Sequence, residues 1–404
     1  MKINRELIEK FYYELDERSK EALDAAAGRV VAAKKSGGKV AVVTGSGPNL
    51  HEGVTTLIAE LIEKGVVDGV TTSSAVVSHE MGGALDRVKM CGAAQLGLDE
   101  AKMPRGNIFE FTDMSDEELG ELSKEMILDE ELLAKRHDAE GHMVIKAAAN
   151  MAYPMGLRTE KLAEEIHSLC RQSGLPFETV AGWGCDRRTM LGSGAARGVP
   201  VLVTIPQLVG GGHVGLAVGD SIPVAERSRR IAAMLGSAEV IIESAVALTQ
   251  EIHDGPFETY TGHGIWSWWQ GQPVYSLKDK TLIRFDLDEN LRRAQDLQKS
   301  SAMIQEAIDK GLPKTKISKI PFRMEMSAFA RHEGSLPVIG DIGMIWPVFA
   351  LKIADALGIT LEFMSYKQET EEGKAMREWI VENVRPLDRA KMLKKFREWQ
   401  ADNR

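Results

Sequence analysis

The stretch KVAVVTGSGPNLHEGVTTLIAELIEKGVVDGVTTSSAVVSHEMGGAL, residues 39–85, constrains the fold more than any other part of the chain. Residues 40–43 form a short apolar strand, and Gly45-Ser46-Gly47-Pro48 breaks it. Leu57, Ile58, Leu61 and Ile62 then recur at helical spacing, and Gly65 ends that helix. Val66, Val67 and Val70 make a second strand, followed by Thr71-Thr72-Ser73-Ser74 and a further helix carrying His79 and Glu80. A strand–helix–strand of this length implies parallel pairing. In open parallel sheets ligands sit at the carboxyl ends of the strands. Both polar turns fall at such ends, so together they form a candidate ligand rim.

The rest of the sequence narrows the classes. The 404 residues suffice for one large α/β domain with appendages or for two domains, and 44% hydrophobic residues support a sizeable core. A net charge of −9 argues against a nucleic-acid partner. The N-terminal segment MKINRELIEKFYYELDERSK is a mixed-charge amphipathic helix without the features of a secretory leader. No apolar run approaches the roughly 18 residues a membrane span needs, so no membrane partner is expected. Cys91, Cys170 and Cys185 lack metal or redox spacing. An odd count of unspaced cysteines suggests reduced thiols in a cytoplasmic protein.

Residues 4–34 keep an apolar stripe of Leu7, Phe11, Leu15, Leu23 and Ala27, which must pack on the sheet or on a neighbouring subunit. Residues 107–111 read as a strand, and Ser115 with Glu118 opens a capped helix that continues in charged sequence to about 139. A helical run is expected over 141–150, putting His142, Lys146 and Asn150 on one face at i, i+4, i+8. A helix over 158–172 stops at Ser173-Gly174; strands follow at 177–181 and 199–203, then the turn Gly210-Gly211-Gly212-His213. Alternation continues with a helix at 223–235, a strand at 239–242, a helix at 244–252, a strand at 282–285 ending in Asp286, and a helix at 288–311. This is the α/β signature. Past a mixed segment at 320–345 come a helix at 346–357, a strand at 359–363 and a charged helical tail at 367–402. The expected organisation is an N-terminal helical arm (1–36), a nucleotide-binding core (37–312) and a C-terminal extension packing on it (313–404).

Residues 253–275, HDGPFETYTGHGIWSWWQGQPVY, have neither strand nor helix period and hold three of the seven tryptophans. A loop this long inside a domain is usually functional. His253, Asp254, Glu258, His263 and Trp266 are its candidate substrate groups; His and carboxylates also suit divalent ions, but their spacing here specifies none. Gly45-Ser46-Gly47 reads equally as a tight turn or a phosphate cradle, and it is not the G-x-G-x-x-G dinucleotide fingerprint. Thr72-Ser73-Ser74 reads as ligand hydroxyls or as helix caps. Gly210-Gly211-Gly212-His213 reads as an anion cradle or a hinge. Lys146 is a carboxylate or acid–base group if buried and a solvated side chain if not. No G-x-S-x-G elbow, Walker A loop or H-E-x-x-H pair is present.

The opening stretch resembles the NAD-binding core of deoxyhypusine synthases and of the NAD-dependent ornithine cyclodeaminases of the LOR/SDH-region group. Gly47-Pro48-Asn49-Leu50-His51-Glu52-Gly53 is similar to the latter's G-P-x-x-x-H-x-G segment, and Gly65-Val66-Val67-Asp68 to its G-x-V-D strand. Residues 73–80 are similar to its G-N-A-x-A-x-H-D turn; Thr72, Ala75 and His79 also match the T-T-G-A-N-L-x-H-D turn of the synthases, with Glu80 in place of the acid. Gly141-His142, Lys146 and Asn150, and residues 282–286, are weaker matches. The family asparagine is replaced by Ser74 or Val76, the cyclodeaminases' G-S-I-R-D-D-G segment is missing, and so is the synthases' active-site lysine segment.

The resemblance implies a Rossmann-like parallel sheet binding NAD, oxidation of an amine carbon by hydride transfer, and an imine intermediate. On this reading Gly45, Ser46, Gly47, Thr72, Ser73 and Ser74 line the dinucleotide, with Glu80 or Asp286 on a ribose. His79, His142, Lys146 and His253 are the proton-transfer candidates, because histidine titrates near neutral pH. Asn150, Asp254, Glu258, His263 and Trp266 face a small-molecule substrate. The expected activity is that of a lyase or transferase on a small amine or amino acid, in a homo-oligomer (dimer or tetramer). A metal-dependent lyase or hydrolase using the 253–263 loop, and a non-catalytic nucleotide-binding subunit, are the alternatives.

Overall fold

The computed structural model describes residues 1–45, 47–103, 107–204, 207–244, 271, 273, 275–276, 279–300, 302–312, 319–320, 332 and 334–403. Six strands form a parallel sheet: β1 (Val40–Thr44), β2 (Gly69–Thr72), β6 (Val201–Val203), β7 (Val240–Ser244), β8 (Thr281–Asp286) and β9 (Ser335–Ile339). Their spatial order is β6-β2-β1-β7-β8-β9. Numbered along the chain within this sheet alone, the order is 3-2-1-4-5-6, which is that of dinucleotide-binding doubly wound folds.

The strands are buried and largely apolar on both sides, as a sheet covered by helices on both faces requires. Val40, Val42, Ile242, Ile283, Phe285 and Val338 face one layer, which includes helices Val54–Glu63 and Ile342–Leu357. Ala41, Val43, Ile241, Leu282 and Ile339 face the other, with helices Val224–Ser237 and Asn290–Ser300. The first layer takes the connections that step from β1 toward β6. The second takes the connections that step back from β6 to β7 and from β8 to β9. A uniform crossover hand demands this exchange when the direction reverses. The reversal lies between β1 and β7, so their loops leave on opposite sides and open a crevice there.

A second, antiparallel sheet is inserted between β2 and β6. It comprises β3 (Leu85–Gly92), β4 (Ile108–Thr112) and β5 (Gly141–Ala147) in the order β4-β3-β5. The helix expected over 141–150 is therefore a strand. Val144 and Ile145 are β-branched, and residues 141–147 pair with 85–91 over their whole length. Two further expectations are corrected. Residues 177–181 lie in helix Phe177–Gly182, where Phe177, Val180 and Ala181 bury one side at i, i+3, i+4. Residues 359–363 alternate as a strand would, burying Leu361 and Phe363, yet among the described residues no neighbouring strand offers a ladder.

Helices Arg5–Glu14 and Glu17–Ser36 pack on β9 and on helix Ile342–Leu357, with Ile8, Phe11, Leu23 and Val30 in the main core. β9 comes from beyond residue 312, so a boundary there does not separate core from appendage. Phe285, Trp346 and Phe349 meet edge-to-face at 5.0–5.8 Å. Such contacts contribute about 0.5–1.5 kcal/mol each beyond burial and fix helix Ile342–Leu357 beneath the crevice. Among the described residues no helix is long and apolar enough to cross a membrane.

Candidate active site

The crevice is built from the loop after β1. Gly47 holds φ 65°, a conformation that strains any residue with a Cβ, and turns the chain into the short helix Pro48–His51. The Asn49 side chain is fully buried beneath it. Its Oδ1 accepts the Ser244 hydroxyl at 2.6 Å, and Trp346 Nε1 donates to the Ser244 Oγ at 2.9 Å. These bonds tie the β1 loop to the end of β7 at the point where the topology reverses.

Above this lies a cleft of about 680 Å³, lined among others by Gly47, His51, Glu52, Asp286 and Asp341. Asp286 thus stands on the rim, as its place at a strand end implies. Burial raises its pKa, opposed by Arg284 at 3.3 Å and the Asp288 amide at 3.0 Å. Glu52 is 4% exposed and accepts the Gln368 amide at 2.6 Å. Burial, with a contribution from Asp341, pushes its pKa up to about 7. Behind the rim Glu243 is likewise raised to about 7 by burial, 3.3 Å from Arg284.

The polar turn after β2 divides into two parts. The Thr71 and Thr72 hydroxyls, and that of Thr204 after β6, are buried without a hydrogen-bond partner among the described residues. Buried hydroxyls left unpaired cost about 1–3 kcal/mol each, which a ligand offering hydrogen bonds would recover. Ser73 is a helix cap whose Oγ accepts the Val76 amide at 3.1 Å. Ser74 Oγ lies against the carbonyls of Gln207 and Gly210, 2.6 Å from the first. Glu80 is 1% exposed, and its two oxygens accept the Met190 and Leu191 amides at 2.9 Å each. It caps helix Met190–Arg197 with both oxygens, sealed from solvent. Gly45 is buried at the end of β1, and Ser46 lies outside the described residues. The Gly210-Gly211-Gly212 turn serves close packing: a Cβ on Gly211 would sit 2.9 Å from Ala75 Cα.

The second wall comes from the small sheet. Lys146 on β5 is half-buried, with Nζ 2.7 Å from both Glu110 oxygens on β4. His142 shares its strand face, but four residues at about 3.3 Å each put it about 13 Å away, exposed and opposite Met90. Asn150 is exposed in the following turn. Of that trio only Lys146 reaches the site. His79 Nδ1 lies 2.7 Å from the Ala148 carbonyl. A carbonyl only accepts, so Nδ1 carries the proton and Nε2 keeps its lone pair. Burial first, then Lys146, lowers the His79 pKa. His51 is lowered by burial and by Arg377, His79 and Lys146, which places all four groups in one electrostatic neighbourhood. His253, Asp254, Glu258, His263 and Trp266 lie outside the described residues. Among the described residues no cluster of three or more His, Cys, Asp or Glu is arranged to hold a metal.

Sequence reasoning did not single out His51, Glu52, Glu110, Asp341 or Arg377 as site residues. His51 and Glu52 directly follow the glycine turn, a signal that was readable. Arg377 sits in a charged helix indistinguishable from a solvated one.

No family model matches the sequence, and no curated protein does. Solved structures give loose likenesses. A conserved LOR/SDH protein from Methanococcus maripaludis S2 is 9% identical over 89% of this chain and 70% of its own, with TM-score 0.37. AgrE, in a ternary complex with ornithine and NAD+, is 12% identical over 84% of this chain, with TM-score 0.40. ArgZ, an arginine dihydrolase from the ornithine–ammonia cycle in cyanobacteria, is 10% identical over 84%, with TM-score 0.36. The chain spans about a third of the AgrE and ArgZ chains, 34% and 32%.

Proposed function

We propose that this chain is an NAD-dependent enzyme that oxidises the amine-bearing carbon of a small amine or amino acid through an imine. The observation carrying the reading is the 3-2-1-4-5-6 strand order, with the glycine turn and the cleft at its reversal point. The resemblance of residues 39–85 to NAD-binding amine enzymes points the same way.

The residues present fit a dinucleotide. The unpaired hydroxyls of Thr71, Thr72 and Thr204 would take ribose hydroxyls. At Gly47, where a Cβ would meet nothing within 4 Å, the turn would leave room for the pyrophosphate. Bound NAD would supply a hydride acceptor. The acids of the cleft, Glu52, Asp286 and Asp341, would receive the cationic amine of the substrate. His79 would take its proton at Nε2, since burial keeps the imidazole neutral and Ala148 fixes its tautomer. Lys146, held by Glu110, would keep positive potential beside the two histidines and favour their neutral forms.

Calorimetric titration of the purified protein with NAD, alongside mass spectrometry for copurified dinucleotide, tests the reading. Saturable binding is expected. No binding at millimolar NAD and no copurified dinucleotide would overturn it.

A further inference from the structure

We infer that Arg377 anchors the carboxylate of the substrate, which makes the substrate an amino acid rather than a simple amine. This rests on the reading above and narrows it.

Helix Glu371–Asn383 lies along β3 and β5 and encloses with them a small cavity of about 300 Å³. Three cations line it: Arg87, Lys374 and Arg377. Two are matched by carboxylates. Arg87 pairs with Glu378, and Lys374 Nζ lies 2.6 Å from Glu371. Arg377 is half-buried and makes no ion pair among the described residues. Its Nη2 donates to the Ile145 carbonyl and lies 3.4 Å from His51 Nδ1. Its Nε is buried with no hydrogen-bond partner among the described residues. A guanidinium drawn out of water without a carboxylate is an expensive arrangement. Holding the β5 edge does not require it, since a neutral amide could donate to the Ile145 carbonyl.

The charges around it sharpen the point. Glu378 is committed to Arg87 and Glu110 to Lys146. Glu52 attracts Arg377 at longer range but is itself pushed toward its neutral form. The remaining neighbours, Lys146, His51 and His79, are cationic or neutral. Among the described residues the location has a surplus of cations over uncommitted carboxylates, which suits an anion with two oxygens in a plane. Arginine presents a fork matched to a carboxylate. His51 sets the position: its ring touches Arg377 on one side and lines the 680 Å³ cleft on the other. A carboxylate on Arg377 is therefore one imidazole away from the acid-lined cleft expected to hold the amine.

The test uses the full chain with saturating NAD. Thermal-shift and initial-rate measurements are made with the proteinogenic L-amino acids and L-ornithine, each beside its decarboxylated amine. At least one amino acid should bind, and its amine should bind at least tenfold more weakly. Arg377→Gln keeps the donor to Ile145 and should raise the KM of that amino acid by about 10- to 100-fold, the range of a charge-assisted pair. The KM for the amine, kcat and NAD affinity should stay near wild type, and Arg377→Lys should fall between. Wild-type KM in Arg377→Gln would overturn the inference. So would equal binding of amines and amino acids, or no response to any amino acid while NAD binds. If Arg377→Gln does not fold, the wild-type comparison of amino acid with amine still decides. Absence of NAD binding would instead count against the proposed function.

Discussion

Glu80 offers the sharpest test of how the site is built, because a ribose-binding carboxylate and a helix-capping one behave differently when neutralised. Its oxygens accept two amides at 2.9 Å, and its side chain is sealed from solvent. Burial raises its pKa from 4.5 to about 7, against the opposing pull of those two amides. The gap of about 2.5 pH units corresponds to about 3 kcal/mol of coupling between folding and protonation. The folded value lies above the unfolded one. Glu80 therefore favours the folded state most at low pH, and this contribution is lost as pH rises from about 4.5 to about 7. Glu80→Gln cannot titrate. At pH 5 it mimics the protonated acid, with one acceptor oxygen and one donor group facing the amides, and should cost no more than about 1–2 kcal/mol. Between pH 5 and pH 8 its stability relative to wild type should improve by about 2–3 kcal/mol. At the entropy of unfolding expected for this length, that is roughly 2–4 °C in melting midpoint. Differential scanning fluorimetry of both proteins at pH 5, 6, 7 and 8 reads the difference, in which the titrations they share cancel. A midpoint difference constant across pH would refute the reasoning. So would a large loss of NAD affinity in Glu80→Gln with unchanged stability, which would return Glu80 to the ribose.

His79→Gln should lower kcat by about 100-fold or more while leaving NAD affinity intact; wild-type kcat in the variant would remove His79 as the base. Because burial lowers the His79 pKa, wild-type kcat/KM should hold below pH 6.5 and fall only as pH drops through the folded value, a limb that His79→Gln should lack. Arg227 is fully buried, bonding Glu178 and, at 3.0 Å, the Val218 carbonyl, while Glu178 also accepts the Val203 amide at 2.6 Å. Arg227→Met strands Glu178 and should cost about 3–5 kcal/mol, a drop of roughly 3–6 °C by calorimetry; a midpoint within 1 °C of wild type would contradict the reading.

Sequence by itself determined the elements whose signals are local. The unit at 39–85 folds as its glycines and apolar spacing dictate, with Gly47 and Gly65 in the left-handed region. The capping box of Ser115 and Glu118 forms as written, and Gly174 ends its helix in the αL conformation. Asp286 closes a strand at the rim. Each depends on contacts within a few residues. Tertiary structure alone decided what depends on a partner far along the chain. Residues 141–147 carry helical spacing, yet they are a strand because residues 85–91 lie alongside. Residues 359–363 carry strand spacing, yet they form no ladder, because no strand flanks them among the described residues. The site follows the same division. Asp286, at the end of β8, could be placed at the cleft because strand ends are readable from sequence. Ser73 caps its own helix three residues on, as one reading of the sequence allowed, whereas the commitment of Ser74 and Glu80 could not be read, since their partners are Gln207, Gly210, Met190 and Leu191. Arg377 meets His51 from 326 residues away. No periodicity encodes that distance; only the closing of helix Glu371–Asn383 over β5 brings the guanidinium to the crevice.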